Sequence, residues 1–553
     1  MTKEPFFSYI RVMKRAHLLI IFILLCQLVS IAQIGPDTLS QIESTVSKYH
    51  PLDPGCQISI SRNGQIIFSK AWGMADLERK IPLSTNSVIE AGSVSKQFVA
   101  AAILLLEQQG KLSLDDDVRK YVPELPDYGS PIRLRHMLHH TSGLRDWGAI
   151  AELTGWPRTK KFYSNEDALE IIARQRHLNN KPGAEYIYSN SNYNLFAIII
   201  QRVSGLTLAA FTRKYIFQPA GMTHTQWRDD PNRIVLNRAI AYSRSDSGYA
   251  TDMPNEYVYG NGGLLTTTED LLKWDNFYQQ GHLGSPSLFL TQIKTDPLNN
   301  GVINPYAAGL FIQKVRGWDN INHSGATAGY RAYVETYPEL GLSFAVLSNN
   351  GQVNIVEVAR MVSKLFVPDK TSKPAQTGTG GIDLPEATLN GLAGLYRNER
   401  DNSTFTLSVK DKKIILDNYL PLVTASATTL KADNFRFEFN GANGWFIPYS
   451  PRDTIPFTKV TPVDLSPDDF SIYEGKYFSD ETNSSLVIKN DNGKLMIHVK
   501  PNADYPLKPA YKDAFTLDAL GWDLQFTKSP GNKILSIKIS LSRARDVEFK
   551  KIQ

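Results

Sequence analysis

The chain has 553 residues, 42% apolar and 21% charged, an ordinary globular composition that excludes a disordered or multi-span membrane protein. At roughly 150 residues per domain it is too long for a single core. A formal net charge of +5, spread without any basic run, argues against nucleic acid as a partner, and two cysteines exclude a disulfide scaffold.

Lys14-Arg15 precede an apolar run from Leu18 to Cys26 that continues to Ala32, and Ser30-Ile31-Ala32 offers small residues at cleavage spacing. Residues 1–33 therefore read as a signal peptide, and the protein as exported to the periplasm or the medium. The run is shorter than the about 20 residues a spanning helix needs, so no membrane span is expected after cleavage. Met13 offers an alternative start. Leu24-Leu25 before Cys26 lack the small residue that precedes a lipidated cysteine, which makes a lipoprotein the lesser reading. Cleavage would remove Lys3, Arg11, Lys14, Arg15 and Glu4, bring the charge to about +2, and leave Cys56 without an intrachain disulfide partner.

Residues 34–55 give a helix (Asp37 to Tyr49) and a turn. Gln57 to Ser61 and Gln65 to Trp72 alternate as two strands joined through Asn63-Gly64. The segment from Ser93 to Gly110, rich in Ala and Leu, reads as a buried helix. Arg133 to Leu138 forms a second helix that closes into His139-His140-Thr141-Ser142-Gly143-Leu144. His136, His139 and His140 match no metal-ligand spacing, so turn-stabilising hydrogen bonds are the expected job; neither metal nor cofactor is expected. Asn194 to Val203 is a helix closed by Gly205. Residues 228–259 are polar and irregular, as pocket-rim loops are. Gly260-Asn261-Gly262-Gly263 leads to Thr267, which caps a helix from Leu271 to Tyr278. Ile321 to Gly325, Arg331 to Tyr337 and Leu342 to Ser348 are strands, and Ile355 to Phe366 is a closing helix. Strands at both ends with helices between them predict an α+β unit, an antiparallel sheet flanked by helices, over 34–367.

Residues 368–383 form a linker rich in Pro, Gly, Thr and Lys. Beyond it the chain is all β and repeats itself: Gly394-x-Tyr396 recurs as Gly475-x-Tyr477 at an offset of 81, which also maps Phe405 to Leu486, Leu407 to Ile488, Ile414 to Leu495 and Leu416 to Ile497. Segments 384–465 and 466–553 are thus expected to form two lipocalin-like β-barrels or the halves of one.

Three short motifs carry the chemistry. Ser93 and Lys96, at i and i+3 on one helical face, place a cation beside a hydroxyl at a helix start, where free backbone N–H groups can receive an oxyanion. Tyr188-Ser189-Asn190 follows about a hundred residues later, and His323-Ser324-Gly325 sits on a predicted strand. Together, in this order, the motifs resemble the active-site set of the class C β-lactamase and penicillin-binding-protein family of serine hydrolases, as do residues 134–144, 188–205, 260–274 and 323–330. The resemblance implies Ser93 as nucleophile, Lys96 and Tyr188 as proton-transfer groups with the base left open between them, and Asn190, His323 and Gly325 as substrate-binding residues. It also implies an oxyanion hole from the N–H groups of Ser93 and Ala326.

Typical β-lactamases carry lysine where this chain has His323, so a substrate carboxylate should be held less well here. Family members with histidine include D-peptidases, D-aminopeptidases and esterases. The expected function is hydrolysis of an amide or ester, of a peptide or D-amino-acid-containing substrate, through an acyl-Ser93 intermediate. A β-lactamase is the alternative enzyme, and a non-enzymatic binding or sensor protein the alternative outside enzymes. The expected partner is a small-molecule or peptide substrate.

Overall fold

The structure, a computed structural model, describes residues 34–47, 51–370, 381–433, 435–448, 454–501 and 503–552. The segment read as a signal peptide, with Cys26, and most of the linker lie outside the described residues.

The first unit is built on a six-stranded antiparallel sheet in the order Phe311–Val315, Trp318–Thr327, Tyr330–Tyr337, Leu342–Ser348, Cys56–Arg62, Gln65–Trp72. The first strand of the chain pairs with the last of the unit, Cys56 opposite Ser348 through Arg62 opposite Leu342. Asn63 and Gly64 both take positive φ (50° and 77°), the turn geometry that lets two strands meet without splaying.

The strand Cys56–Arg62 is buried on both sides up to Ser61 because helices cover both faces of the sheet, and only Arg62 at its end is exposed. Ile58 and Ile60 pack with Ile42 and Val358 from the helices Pro36–Val46 and Ile355–Ser363. On the other face Gln57 donates to Ser84 and Ser87 carbonyls, and Ser59 bonds Thr268 at the start of the helix Thr268–Gln279. Thr267 caps that helix as expected, accepting from the Asp270 N–H. Cys56 is a free thiol, and burial pushes its pKa up to about 12, so it is inert. Element ends move by a few residues: the first helix stops at Val46, the one before His139 starts at Leu134, and the last ends at Ser363.

The Ser93 segment departs from expectation in one respect. The α-helix runs Lys96–Gln108, and Ser93 lies in the 3₁₀ turn Gly92–Ser95 that precedes it. Every residue from Lys96 to Leu106 is buried, so Phe98→Ala would cost about 3–5 kcal/mol.

The C-terminal region is two barrels, not halves of one. Eight strands from Gly394–Asn398 to Ile455–Val460 close completely. Nine strands from Gly475–Ser479 to Ala544–Lys551 nearly close, with Ala503–Pro506 and Lys508–Pro509 at the open seam. The repeat maps in register: Gly394 faces Leu407 and Gly475 faces Ile488. Tyr396 donates to the Leu392 carbonyl and Tyr477 to the Tyr473 carbonyl, four residues back in each copy. Lys459 and Lys551 then cover the same two rings.

The barrels differ in how they are attached. The first has its own core around Tyr396, Phe437 and Phe457. Apolar residues of the second are continuous with the core of the first unit that holds Phe98 and Trp147. At that junction the buried Arg145 guanidinium pairs with Glu481 at 2.9 Å, and it also donates to Gln175 and to the Asp546 carbonyl. Glu185 receives Arg400 from the first barrel and Arg545 from the second at 3.1 and 3.0 Å.

Candidate active site

Two glycines let the Ser93 turn press against the strand Trp318–Thr327. A Cβ on Gly325 would lie 2.1 Å from the Ala91 carbonyl oxygen and 3.0 Å from the Ser93 nitrogen. A Cβ on Gly92, whose φ is +49°, would lie 2.7 Å from the Ala326 nitrogen. Only backbone fits on either side, so the N–H groups of Ser93 and Ala326 come to the same small space. Behind the turn, Ser95 is buried and donates to the Gly92 carbonyl at 2.5 Å while accepting from the Leu264 N–H.

Lys96 has no solvent exposure, and its Nζ lies 3.0 Å from Ser93 Oγ, 2.9 Å from Asn190 Oδ1 and 2.6 Å from the Asn261 carbonyl oxygen. No carboxylate is within ion-pair distance of it among the described residues. Burial holds its pKa well below the usual lysine range; the positive charges of Arg543 and Arg158 push the same way, and Asp146 opposes them. A neutral amine has two N–H donors and one lone pair. Two carbonyl oxygens and one hydroxyl around Nζ match that count.

Asn190 is the first residue of the helix Asn190–Ser204, and its N–H donates to Asp146 Oδ2 at 2.7 Å. Asp146 itself caps the helix Trp147–Leu153. Tyr188, on the loop before Asn190, lies with its ring 4.8 Å from Lys96 Nζ. Burial pushes its phenol well above the ordinary value, with the neighbouring Ser93 hydroxyl only partly offsetting the rise. Tyr188 thus stays protonated where Lys96 readily loses its proton.

His323 is 2% exposed and fully engaged: Nδ1 donates to the Ser324 carbonyl at 2.6 Å, and Nε2 accepts from the Tyr306 hydroxyl at 3.1 Å. Burial, with help from Lys96, pulls its pKa down to about 3. It is a neutral wall residue, 6.3 Å from the Tyr188 ring.

The other histidines hold backbone and side-chain partners. His136 accepts from the Arg133 N–H, His139 pairs with the Tyr306 carbonyl, and His140 Nδ1 accepts from the Ser189 N–H and from Asn192. The His140 ring stacks 4.2 Å from Tyr188, which fixes the Tyr188 loop from behind.

Sequence motifs thus brought Ser93, Lys96, Tyr188 and Asn190 together and placed His323, Gly325 and Ala326 on the facing strand. They missed three contributors. Asn261 acts through its main-chain carbonyl, which no side-chain pattern reveals, though its Gly-rich setting marked a tight turn. Asp146 acts by capping and by holding Asn190. Arg543, on the second barrel, places its guanidinium carbon 5.0 Å from the Tyr188 ring centroid; nothing in the sequence links it to a residue 355 positions earlier.

A family model described as Beta-lactamase matches residues 50–360, more than half of the chain. A D-aminopeptidase of Gluconobacter oxydans is 29% identical over 59% of this chain, which spans 62% of that relative's length. A D-aminopeptidase of Brucella melitensis is 24% identical over 90% of this chain and 96% of its own, so the likeness reaches into both barrels. Among solved structures, the octameric penicillin-binding protein homologue from Pyrococcus abyssi superposes with a TM-score of 0.52 at 23% identity, covering 76% of this chain and 99% of its own.

Proposed function

The chain belongs to the beta-lactamase family of serine hydrolases, and from that premise we propose that it hydrolyses the amide bond of a peptide or D-amino-acid-containing substrate through an acyl-Ser93 intermediate. The observation that carries the reading is the setting of Lys96, buried, unpaired with any carboxylate among the described residues and 3.0 Å from Ser93 Oγ.

In this mechanism Lys96 is the base. Its neutral amine, held by Asn190 and Asn261, accepts the Ser93 proton as Oγ attacks the carbonyl carbon. The oxyanion forms between the Ser93 and Ala326 N–H groups, an arrangement whose donors typically contribute 10²–10³ each in rate. Collapse breaks the C–N bond, and the protonated Tyr188 phenol delivers a proton to the departing amine, recovering it from Lys96. Water then repeats the sequence on the ester and frees the acid. Asn190, beside Lys96 Nζ, also offers its amide to the substrate.

The D-aminopeptidase relatives favour a peptidase over a β-lactamase, and His323, neutral and internally engaged, does not supply the cation that typical β-lactamases carry at that position. The reading includes export, since residues 1–33 carry the composition of a signal peptide. The test is release of p-nitroaniline from D-alanine and L-alanine p-nitroanilides beside a chromogenic cephalosporin. Amide turnover that Ser93→Ala abolishes supports the proposal; cephalosporin turnover without amide turnover would overturn it.

A further inference from the structure

Four arginines around the site or its junction with the second barrel have a carboxylate partner. Arg145 pairs with Glu481, Arg158 with Glu256, Arg228 with Glu90 and Arg545 with Glu185. Arg543 is different. Among the described residues its guanidinium forms no ion pair, and the residue is exposed.

Its backbone, by contrast, is fixed. Arg543 sits in the two-residue turn between Ile534–Leu541 and Ala544–Lys551, where Leu541 pairs with Ala544. Its carbonyl accepts from the Asp146 N–H and from Asn179 Nδ2, both at 3.0 Å, and the next-but-one N–H, of Arg545, donates to Asn179 Oδ1 at 2.8 Å. The turn is therefore pinned to the same Asp146 that holds Asn190. A rigid backbone delivers a free cation over the face of Tyr188.

The charge reaches the buried groups of the site. It is felt at Lys96, Tyr188 and His140, and at the exposed Glu152 carboxylate, with which it forms no ion pair among the described residues. Lys96 is buried and committed, and His323 is neutral, so neither supplies an accessible positive charge to a ligand. A guanidinium presents parallel N–H donors matched to a carboxylate, and stacking on an aromatic ring orients that fork.

We infer that Arg543 is a specificity residue of this site, and that the preferred substrate is an amide carrying a carboxylate within reach of the Tyr188 face. This rests on the acyl-serine reading above. The carboxylate can lie on the acyl part or on the leaving part; the chemistry recognised is the same.

The experiment measures calorimetric Kd for two matched pairs on the full chain. Phenylboronic acid and 3-carboxyphenylboronic acid, which add to a reactive serine, report the acyl side. D-alaninol, which has no bond to cleave, and D-alanine report the leaving side. Wild type is expected to prefer the carboxylate member of one pair by at least about tenfold, and which pair does so names the side. The preference should fall to about unity in Arg543→Ala, reverse in Arg543→Glu and persist in part in Arg543→Lys, whose backbone anchors are untouched. No carboxylate preference in wild type, or one that survives in Arg543→Ala, would overturn the inference. Fluorophosphonate labelling of Ser93 separates the two claims: an adduct without anion preference removes the role of Arg543 alone, and anion preference without an adduct removes the acyl-serine reading alone.

Discussion

Gly325→Ala is a sharp test of the proposed oxyanion hole. The new Cβ would lie 2.1 Å from the Ala91 carbonyl oxygen, against an ordinary contact of 3.4 Å or more, so strand and turn must part by more than 1 Å. The Ala91 carbonyl is backbone and cannot swing aside as a side chain could. The displacement falls between the Ser93 and Ala326 N–H groups, since the same Cβ would also lie 3.0 Å from the Ser93 nitrogen. Losing one oxyanion donor typically costs about 2.7–4 kcal/mol of transition-state stabilisation, or 10²–10³ in rate. Overpacking adds about 1–3 kcal/mol to the folding cost. The assay is kcat/KM for a p-nitrophenyl ester, read beside the near-ultraviolet circular dichroism of the folded variant. A fall of about 10²-fold or more with the spectrum retained is expected. Activity within threefold of wild type would refute the claim that close backbone approach forms the hole.

Lys96→Met should lower acylation by about 10²–10⁴-fold, the range for loss of a general base, measured as the rate of fluorophosphonate labelling. The pH profile of acylation should rise as Lys96 loses its proton, with an acid-limb midpoint well below the ordinary lysine value. Because Arg543 lowers and Asp146 raises the Lys96 pKa, Arg543→Ala should move that limb to higher pH and Asp146→Asn to lower pH. Shifts in the same direction would contradict the electrostatic picture. Arg145→Ala leaves Glu481 buried without its partner, a loss of about 3–5 kcal/mol. It should release the second barrel, seen as faster amide hydrogen exchange over 541–546.

What was legible in the sequence follows the range of the physics. Ser93 and Lys96 were readable because three residues of helical chain fix their neighbourhood, whether the turn is α or, as here, 3₁₀. Strand positions, though not all their ends, and the repeat were readable because pleat alternation writes burial into residue type, so Tyr396 and Tyr477 fall at one register. The choice between one barrel and two depends on which strands close the sheet, and alternation is the same in both. Asn261 contributes a carbonyl oxygen that any residue would have, and its identity carries no signal for that role. Arg543 reaches Tyr188 only because one barrel docks through buried pairs such as Arg145 with Glu481, and such long-range contacts leave no local pattern.

The central claim is that Ser93 is an activated nucleophile. Intact-protein mass spectrometry after exposure to a fluorophosphonate tests it most directly, with Ser93→Ala alongside. A single adduct on the wild type that is absent from the variant is the expected result. A folded wild type that takes no adduct, or a variant that still takes one, would contradict it.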